Sequence, residues 1–129
     1  MIKLNKIHHI AIICSNYEAS KYFYTEILGL EVIREVYRAE RLSYKLDLSL
    51  GANYIIELFS FPNPPNRPSR PEACGLRHLA FEVDDIIFTV NELNKKGIIP
   101  EPVRSDEFTE KQFTFISDPD DLPIEFYEK

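Results

Sequence analysis

Two short stretches of the chain carry apolar side chains at helical spacing, Phe23, Tyr24, Ile27 and Leu28 in one and Ile86, Ile87, Val90 and Leu93 in the other. Each follows a polar pair suited to starting a helix, Ser15-Asn16 or Asp84-Asp85, and Ser15 with Glu18 has capping-box spacing. Each runs out at a glycine, Gly29 or Gly97, the residue that most easily takes the left-handed conformation closing a helix. Around them, apolar and polar positions alternate as in half-buried strands. The pattern predicts strands near 6–14, 30–38, 43–50 and 52–60 with a helix near 17–28. It then predicts strands near 75–83, 98–104, 111–117 and 122–128 with a helix near 86–96. Ser117-Asp118-Pro119-Asp120-Asp121 is turn-forming chemistry ahead of the last strand.

The two halves repeat one another. Aligning His9 with His78 sets Cys14 against Val83, helix against helix, and the closing segment YIIELFSF against PIEFYEK. The interval from His9 to Glu57 is 48 residues, and that from His78 to Glu125 is 47. Between the halves, Phe61–Pro71 reads FPNPPNRPSRP and holds five of the nine prolines, which no regular element tolerates. The expected organisation is one α+β domain of two tandem βαβββ modules, 1–60 and 75–129, joined by a proline-rich connector over 61–74. Two mixed sheets, each covered on one face by its helix, would join their other faces into a curved trough.

Strand side chains alternate between faces, so the phase of each key strand can be checked against its own apolar neighbours. Ile10 and Ile12 lie opposite His9, and Leu79, Phe81 and Val83 lie opposite His78. Ile56 and Leu58 flank Glu57 as Ile124 and Phe126 flank Glu125. All four polar residues therefore share one phase, away from the helices and toward the trough. Two imidazoles and two carboxylates form a suitable ligand set for a divalent first-row metal, and an octahedral ion would keep two positions for water or substrate. Buried glutamates call for a cation or a partner. A lone histidine or glutamate on a strand is more often structural, but matched positions in both halves favour the metal. His8, one residue from His9, falls on the other face as a packing or surface histidine. Cys14 reads as a small core residue, Cys74 as a loop thiol, and Asp118, Asp120 and Asp121 as turn formers. The proline-rich segment reads as a stiff connector, and Arg67 and Arg70 within it are candidates to contact an anionic substrate.

Composition narrows the function classes. The chain has 129 residues, 44% of them hydrophobic, enough for one domain with a core of its own. Its 15 basic and 21 acidic side chains leave a net charge of −6, which disfavours nucleic acid and anionic membranes and points to a small-molecule substrate. Two cysteines without CxxC spacing suit a reducing compartment. The longest apolar run near the start, Ile10–Cys14, is far short of a membrane span, and no leader pattern precedes it, so a cytoplasmic protein is expected.

The doubled module with IHHIAI, FYTEILGLEV, YIIELF, LRHLAFEV and DPDDLPIEF resembles the vicinal oxygen chelate superfamily, most nearly its bacterial glyoxalase I (lactoylglutathione lyase) group, over essentially the whole chain. The resemblance implies the glyoxalase/bleomycin-resistance/dioxygenase fold and a homodimer whose trough is built from one chain or two. It also implies metal ligands at His9, Glu57, His78 and Glu125, with nickel or zinc as the ion and cobalt, manganese or iron as further candidates. The implied reaction converts the hemithioacetal of a 2-oxoaldehyde and a thiol into a 2-hydroxyacyl thioester. The metal would act as a Lewis acid on the vicinal oxygens, and Glu125 would take a proton that it or Glu57 returns to the neighbouring carbon. Methylmalonyl-CoA epimerases typically carry Gln at the place of Glu57, and fosfomycin-modifying relatives use three protein ligands. Ile13 stands where glyoxalase I commonly has an arginine for a glutathione carboxylate, which leaves the thiol open and makes Arg34, Arg38, Arg41, Arg77 and Arg104 alternatives. Competing expectations are another metal-dependent reaction, such as an epimerase, thiol transferase or dioxygenase, and a metal-free drug-binding module.

Overall fold

In the computed structural model, which describes residues 1–129, each half of the chain runs through the same succession of elements. The first unit, Met1–Pro65, holds strand β1 (Ile10–Cys14) and helix α1 (Tyr17–Tyr22), which continues as a π-helical turn over Phe23–Ile27. Strands β2 (Glu31–Arg38), β3 (Ser43–Leu50) and β4 (Asn53–Ser60) follow. The second unit, Asn66–Lys129, holds β5 (Leu79–Val83), α2 (Ile86–Lys95), β6 (Arg104–Ser105), β7 (Gln112–Ser117) and β8 (Pro123–Glu128). The fold is α+β, with a four-stranded mixed sheet in each unit. The strand orders are β1-β4-β3-β2 and β5-β8-β7-β6, so the second sheet repeats the topology of the first. In both, the first strand runs parallel to the last and the others are antiparallel.

The repetition extends to single residues. Ala11 lies opposite Glu57 in the first sheet, and Ala80 lies opposite Glu125 in the second. In the first unit Leu46, Leu48, Ile56 and Leu58 are fully buried, as is Tyr24 of the helical segment, with Phe23 nearly so. In the second unit Ile124 and Ile86 are fully buried, with Leu93 and Phe126 nearly so. These residues alternate along their strands with the polar positions, which fixes the face each strand turns to its helix.

Helix ends follow local chemistry. Asn16 caps α1 by accepting from the Ala19 N–H at 3.1 Å, and Asp85 caps α2 by accepting from the Phe88 N–H at 2.9 Å. The cap of α1 falls on Asn16, the second residue of the Ser15-Asn16 pair. Gly97 takes φ +80°, and the Ile98 N–H returns to the Leu93 carbonyl at 3.0 Å, a left-handed closure.

Three elements are shorter than alternation alone predicts. β1 begins at Ile10 and β5 at Leu79, so His9 and His78 stand one residue before their strands. Pro123 opens β8 without an N–H, so the parallel ladder with β5 starts only at Leu79–Ile124. β6 is two residues long rather than spanning 98–104, because Pro100 and Pro102 interrupt its donors and only the Glu101 N–H reaches β7, at Phe115, ahead of it.

Candidate functional site

Each unit brings its own histidine to its own glutamate. His9 Nε2 lies 3.7 Å from Glu57 Oε1, and His78 Nε2 lies 3.7 Å from Glu125 Oε2. The glutamate side chains are 17% and 14% exposed and the histidines 36% and 28%, so each pair has a carboxylate set into the sheet and an imidazole open to an incoming group. Neither unit by itself gathers three or more His, Cys, Asp or Glu side chains into a metal-holding group. The flanking residues obey the expected phase, since Ile12 and Cys14 are buried while Ala11 and Ile13, on the parity of His9, are exposed.

His8 departs from its expected place. Residues before Ile10 are not strand, so alternation does not send His8 to the other face. Instead His8 Nδ1 lies 2.8 Å from His9 Nδ1, and both imidazoles contact the Tyr54 ring, His9 stacked at 5.3 Å and His8 edge-on at 5.4 Å. A hydrogen bond between the two Nδ1 atoms leaves His9 Nε2 to face Glu57.

Three residues that sequence reasoning passed over surround Glu57. Lys45 Nζ lies 3.2 Å from Glu57 and 2.6 Å from Asp47, and the Tyr54 hydroxyl lies 3.2 Å from Glu57 and donates to Asp47 at 2.9 Å. Asp47 is 2% exposed and pairs across the strands with Glu57. Burial would raise the Asp47 carboxyl, but hydrogen bonds from Lys45 and Tyr54 outweigh it and hold the group below its ordinary value. Burial likewise opposes the charge on Lys45, and its bonds to Asp47 and Glu57 hold the ammonium above its ordinary value. Burial and then Asp47 push the Tyr54 phenol well up, so it stays a donor. The signal was present in KLDLSL: Leu46 and Leu48 point into the core, which sets Lys45 and Asp47 on the parity facing Glu57.

The second unit replaces this polar cluster with an aromatic wall. Phe115 occupies the position opposite Glu125 that Asp47 occupies opposite Glu57. Its ring meets the His78 ring edge-on at 5.2 Å. The two pairs therefore share geometry and differ in surroundings: Glu57 is held by the Lys45 ammonium and the Tyr54 phenol, whereas Glu125 has the Phe115 ring as its cross-strand neighbour and the Arg77 guanidinium within electrostatic reach.

Of the arginines named as alternatives to the missing one at Ile13, Arg34 reaches Asp47 at 3.6 Å and Arg38 lies over the Phe59 ring at 4.8 Å. Arg77 pairs with Glu72, Arg104 lies over Phe113 at 5.1 Å, and Arg41 belongs to a 3-10 turn, Ala39–Arg41. Neither cysteine is in a disulfide; Cys14 is buried and Cys74 exposed. No helix is long and apolar enough to cross a membrane.

Residues 6–126, which take in both His–Glu pairs, match the Glyoxalase/Bleomycin resistance protein/Dioxygenase superfamily. The chain belongs to this superfamily. It is 63% identical over 126 residues to YwkD, an uncharacterized protein of Bacillus subtilis (strain 168), with 98% of each chain covered. A glyoxalase family protein from Enterococcus faecalis has the same structure at a TM-score of 0.89, with 53% identity, 95% of this chain and 97% of that one covered. Mouse mitochondrial methylmalonyl-CoA epimerase is 31% identical over 101 residues, which cover 74% of this chain and 56% of the epimerase. The fold is shared more distantly by a Listeria monocytogenes fosfomycin resistance protein, FosX, a variant of which is complexed with Mn(II), at a TM-score of 0.73 and 16% identity, with 97% and 93% of the chains covered. Superfamily proteins bind small molecules, commonly use divalent metal ions and often form dimers.

Proposed function

We propose that the chain is a cytoplasmic metal-dependent isomerase of the glyoxalase I type, converting the hemithioacetal of a 2-oxoaldehyde and a thiol into a 2-hydroxyacyl thioester. One observation carries this reading. The same His–Glu pair, 3.7 Å apart, recurs at register-equivalent positions of two repeated units. A pair is half of a ligand set, so a complete shell of His9, Glu57, His78 and Glu125 takes one pair from each unit, within a chain or across a homodimer. Two imidazoles and two carboxylates fit a divalent first-row ion, nickel or zinc before cobalt, manganese or iron. Bound there, the ion would supply Lewis acidity toward two vicinal oxygens of the substrate.

The remaining chemistry belongs to the chain. The unlike surroundings of the two glutamates support unlike roles. Glu57, tied to Lys45 and Tyr54, is the stationary carboxylate. Glu125, with a hydrocarbon ring as its cross-strand neighbour, is the base that takes a proton from the carbon beside one oxygen. It or Glu57 returns that proton to the adjacent carbon, so the substrate is isomerised without net loss of atoms. Phe115 shields the transfer from water. The likeness to methylmalonyl-CoA epimerase favours one second reading, in which the same residues abstract and return a proton at a single carbon of an acyl thioester.

Metal analysis of the purified chain tests the proposal, with His78→Ala as control and with assays after reloading by nickel, zinc, cobalt, manganese or iron. About one ion per chain, lost in His78→Ala, together with metal-restored lactoylthiol formation is the expected result. Stoichiometric metal with turnover of methylmalonyl-CoA alone selects the epimerase. Absence of metal under every loading overturns both and leaves a binding module.

A further inference from the structure

The second unit contains a cleft of about 530 Å³ that has His78 and Phe115 in its wall, a size ordinary for small-molecule sites. Its charged lining consists of Arg67, Arg70, Arg77 and Arg104 against Glu72 and Glu101. In a chain of net charge −6, an excess of guanidinium groups in one concavity attracts anions. The four arginines divide by what they already hold. Arg67 is a strut: it donates to Ser69 Oγ at 2.7 Å and to the carbonyls of Leu76 and Arg77 at 2.5 and 3.1 Å. Arg77 is hydrogen-bonded to Glu72.

Arg70 and Arg104 are differently placed. Arg70 has a loose ion pair, 3.6 Å from Asp121, and a side chain 73% exposed. Arg104 lies 3.8 Å from Glu101 with its side chain 56% exposed, and its guanidinium covers Phe113 and Phe115 at 5.1 and 5.8 Å. Loose exposed pairs cost little to exchange for a better anion, and stacking on rings holds the planar fork ready for two parallel hydrogen bonds. Arg104, Phe115 and His78 form one continuous row from those donors to the His78–Glu125 pair.

We infer that this cleft is an oxyanion subsite, in which Arg104 and Arg70 hold a carboxylate or phosphate on the tail of the substrate whose other end reacts beside His78. The location of the reacting end rests on the proposed function; the anion site itself requires no metal. It assigns the acid-tail contact to the connector and β6 rather than to position 13, where Ile13 offers none.

The test is a titration of the full chain with inorganic phosphate and, separately, with succinate, followed through the arginine Nε–H resonances. Saturable shifts at Arg104 and Arg70 are expected. They should weaken at least tenfold in the Arg70→Gln/Arg104→Gln double variant, at unchanged thermal midpoint and metal content. Preference for phosphate or for succinate tells which tail the cleft takes. No saturation with either anion, equal shifts at Arg34 and Arg41, or wild-type binding by the double variant would overturn the inference. His78→Ala protein, deprived of its metal, is titrated in parallel. Saturable shifts there stand even if the metal proposal fails, and metal binding by the double variant stands even if the anion site fails.

Discussion

Asp47 is a fully buried carboxylate facing another carboxylate, and at the scale of single residues it is the most consequential side chain outside the two His–Glu pairs. It is tolerated because Lys45 and Tyr54 both donate to it and Arg34 stands nearby. Asp47→Asn keeps the volume and weakens both bonds, so urea unfolding should show a loss of about 1–3 kcal/mol. A second residue-scale cluster titrates. Glu35 accepts from Lys21 at 2.7 Å and from the Tyr17 hydroxyl, and those bonds, Lys21 first, hold its carboxyl below the ordinary range. A depressed pKa means stability that is present above the unfolded value, about 4.3, and is lost as pH falls through the folded one. Unfolding midpoints measured downward from neutral pH should fall less in Glu35→Gln than in the natural chain. The gap should stay below roughly 1 kcal/mol because the group is a third exposed.

At the scale of elements, α2 is anchored at its first turn by two carboxylates. Asp85 caps the Phe88 N–H, and Glu128, at the end of β8, accepts from the Ile86 N–H at 2.9 Å, binding helix to sheet between residues 42 apart in the chain. Both carboxylates meet the positive end of the helix dipole. Asp85→Ala and Glu128→Gln should each cost about 1 kcal/mol, and amide exchange should rise in α2 before the sheet loosens. The β7–β8 turn rests on Asp118, which is 5% exposed and accepts from the N–H groups of Asp120 and Leu122 at 2.9 and 2.8 Å. Asp118→Ala orphans both donors, so a loss of about 1–3 kcal/mol in thermal or urea unfolding is expected there. Capping was legible in the sequence because it depends on neighbours within one turn. The Glu128 anchor was not, because nothing near Glu128 reveals that β8 ends beside α2.

At the scale of the whole molecule, the duplicated module makes the proposed metal a stability effector as well as a cofactor. An ion that binds only the folded chain at 100 times its dissociation constant should stabilise it by about 2.7 kcal/mol. Calorimetry with and without the reloaded ion measures that gain, which His9→Ala and His78→Ala should each abolish, since each removes one imidazole from the proposed ligand set.

The sequence by itself determined the doubled βαβββ order, the helix ends at Gly29 and Gly97, and the phase that puts Glu57 and Glu125 opposite Ile56, Leu58, Ile124 and Phe126. These follow from periodicity and short-range turn chemistry, which neighbours in the chain carry. Only the tertiary structure decided what each glutamate faces. The repeat makes Glu57 and Glu125 look alike, yet cross-strand register sets Asp47 against one and Phe115 against the other. Tertiary structure also moved His9 and His78 just outside their strands and brought His8 beside His9. It gathered Arg70, Arg104 and His78 around one cleft. Register and loop course depend on pairings between residues far apart in the chain, and no local pattern of apolar and polar positions encodes them.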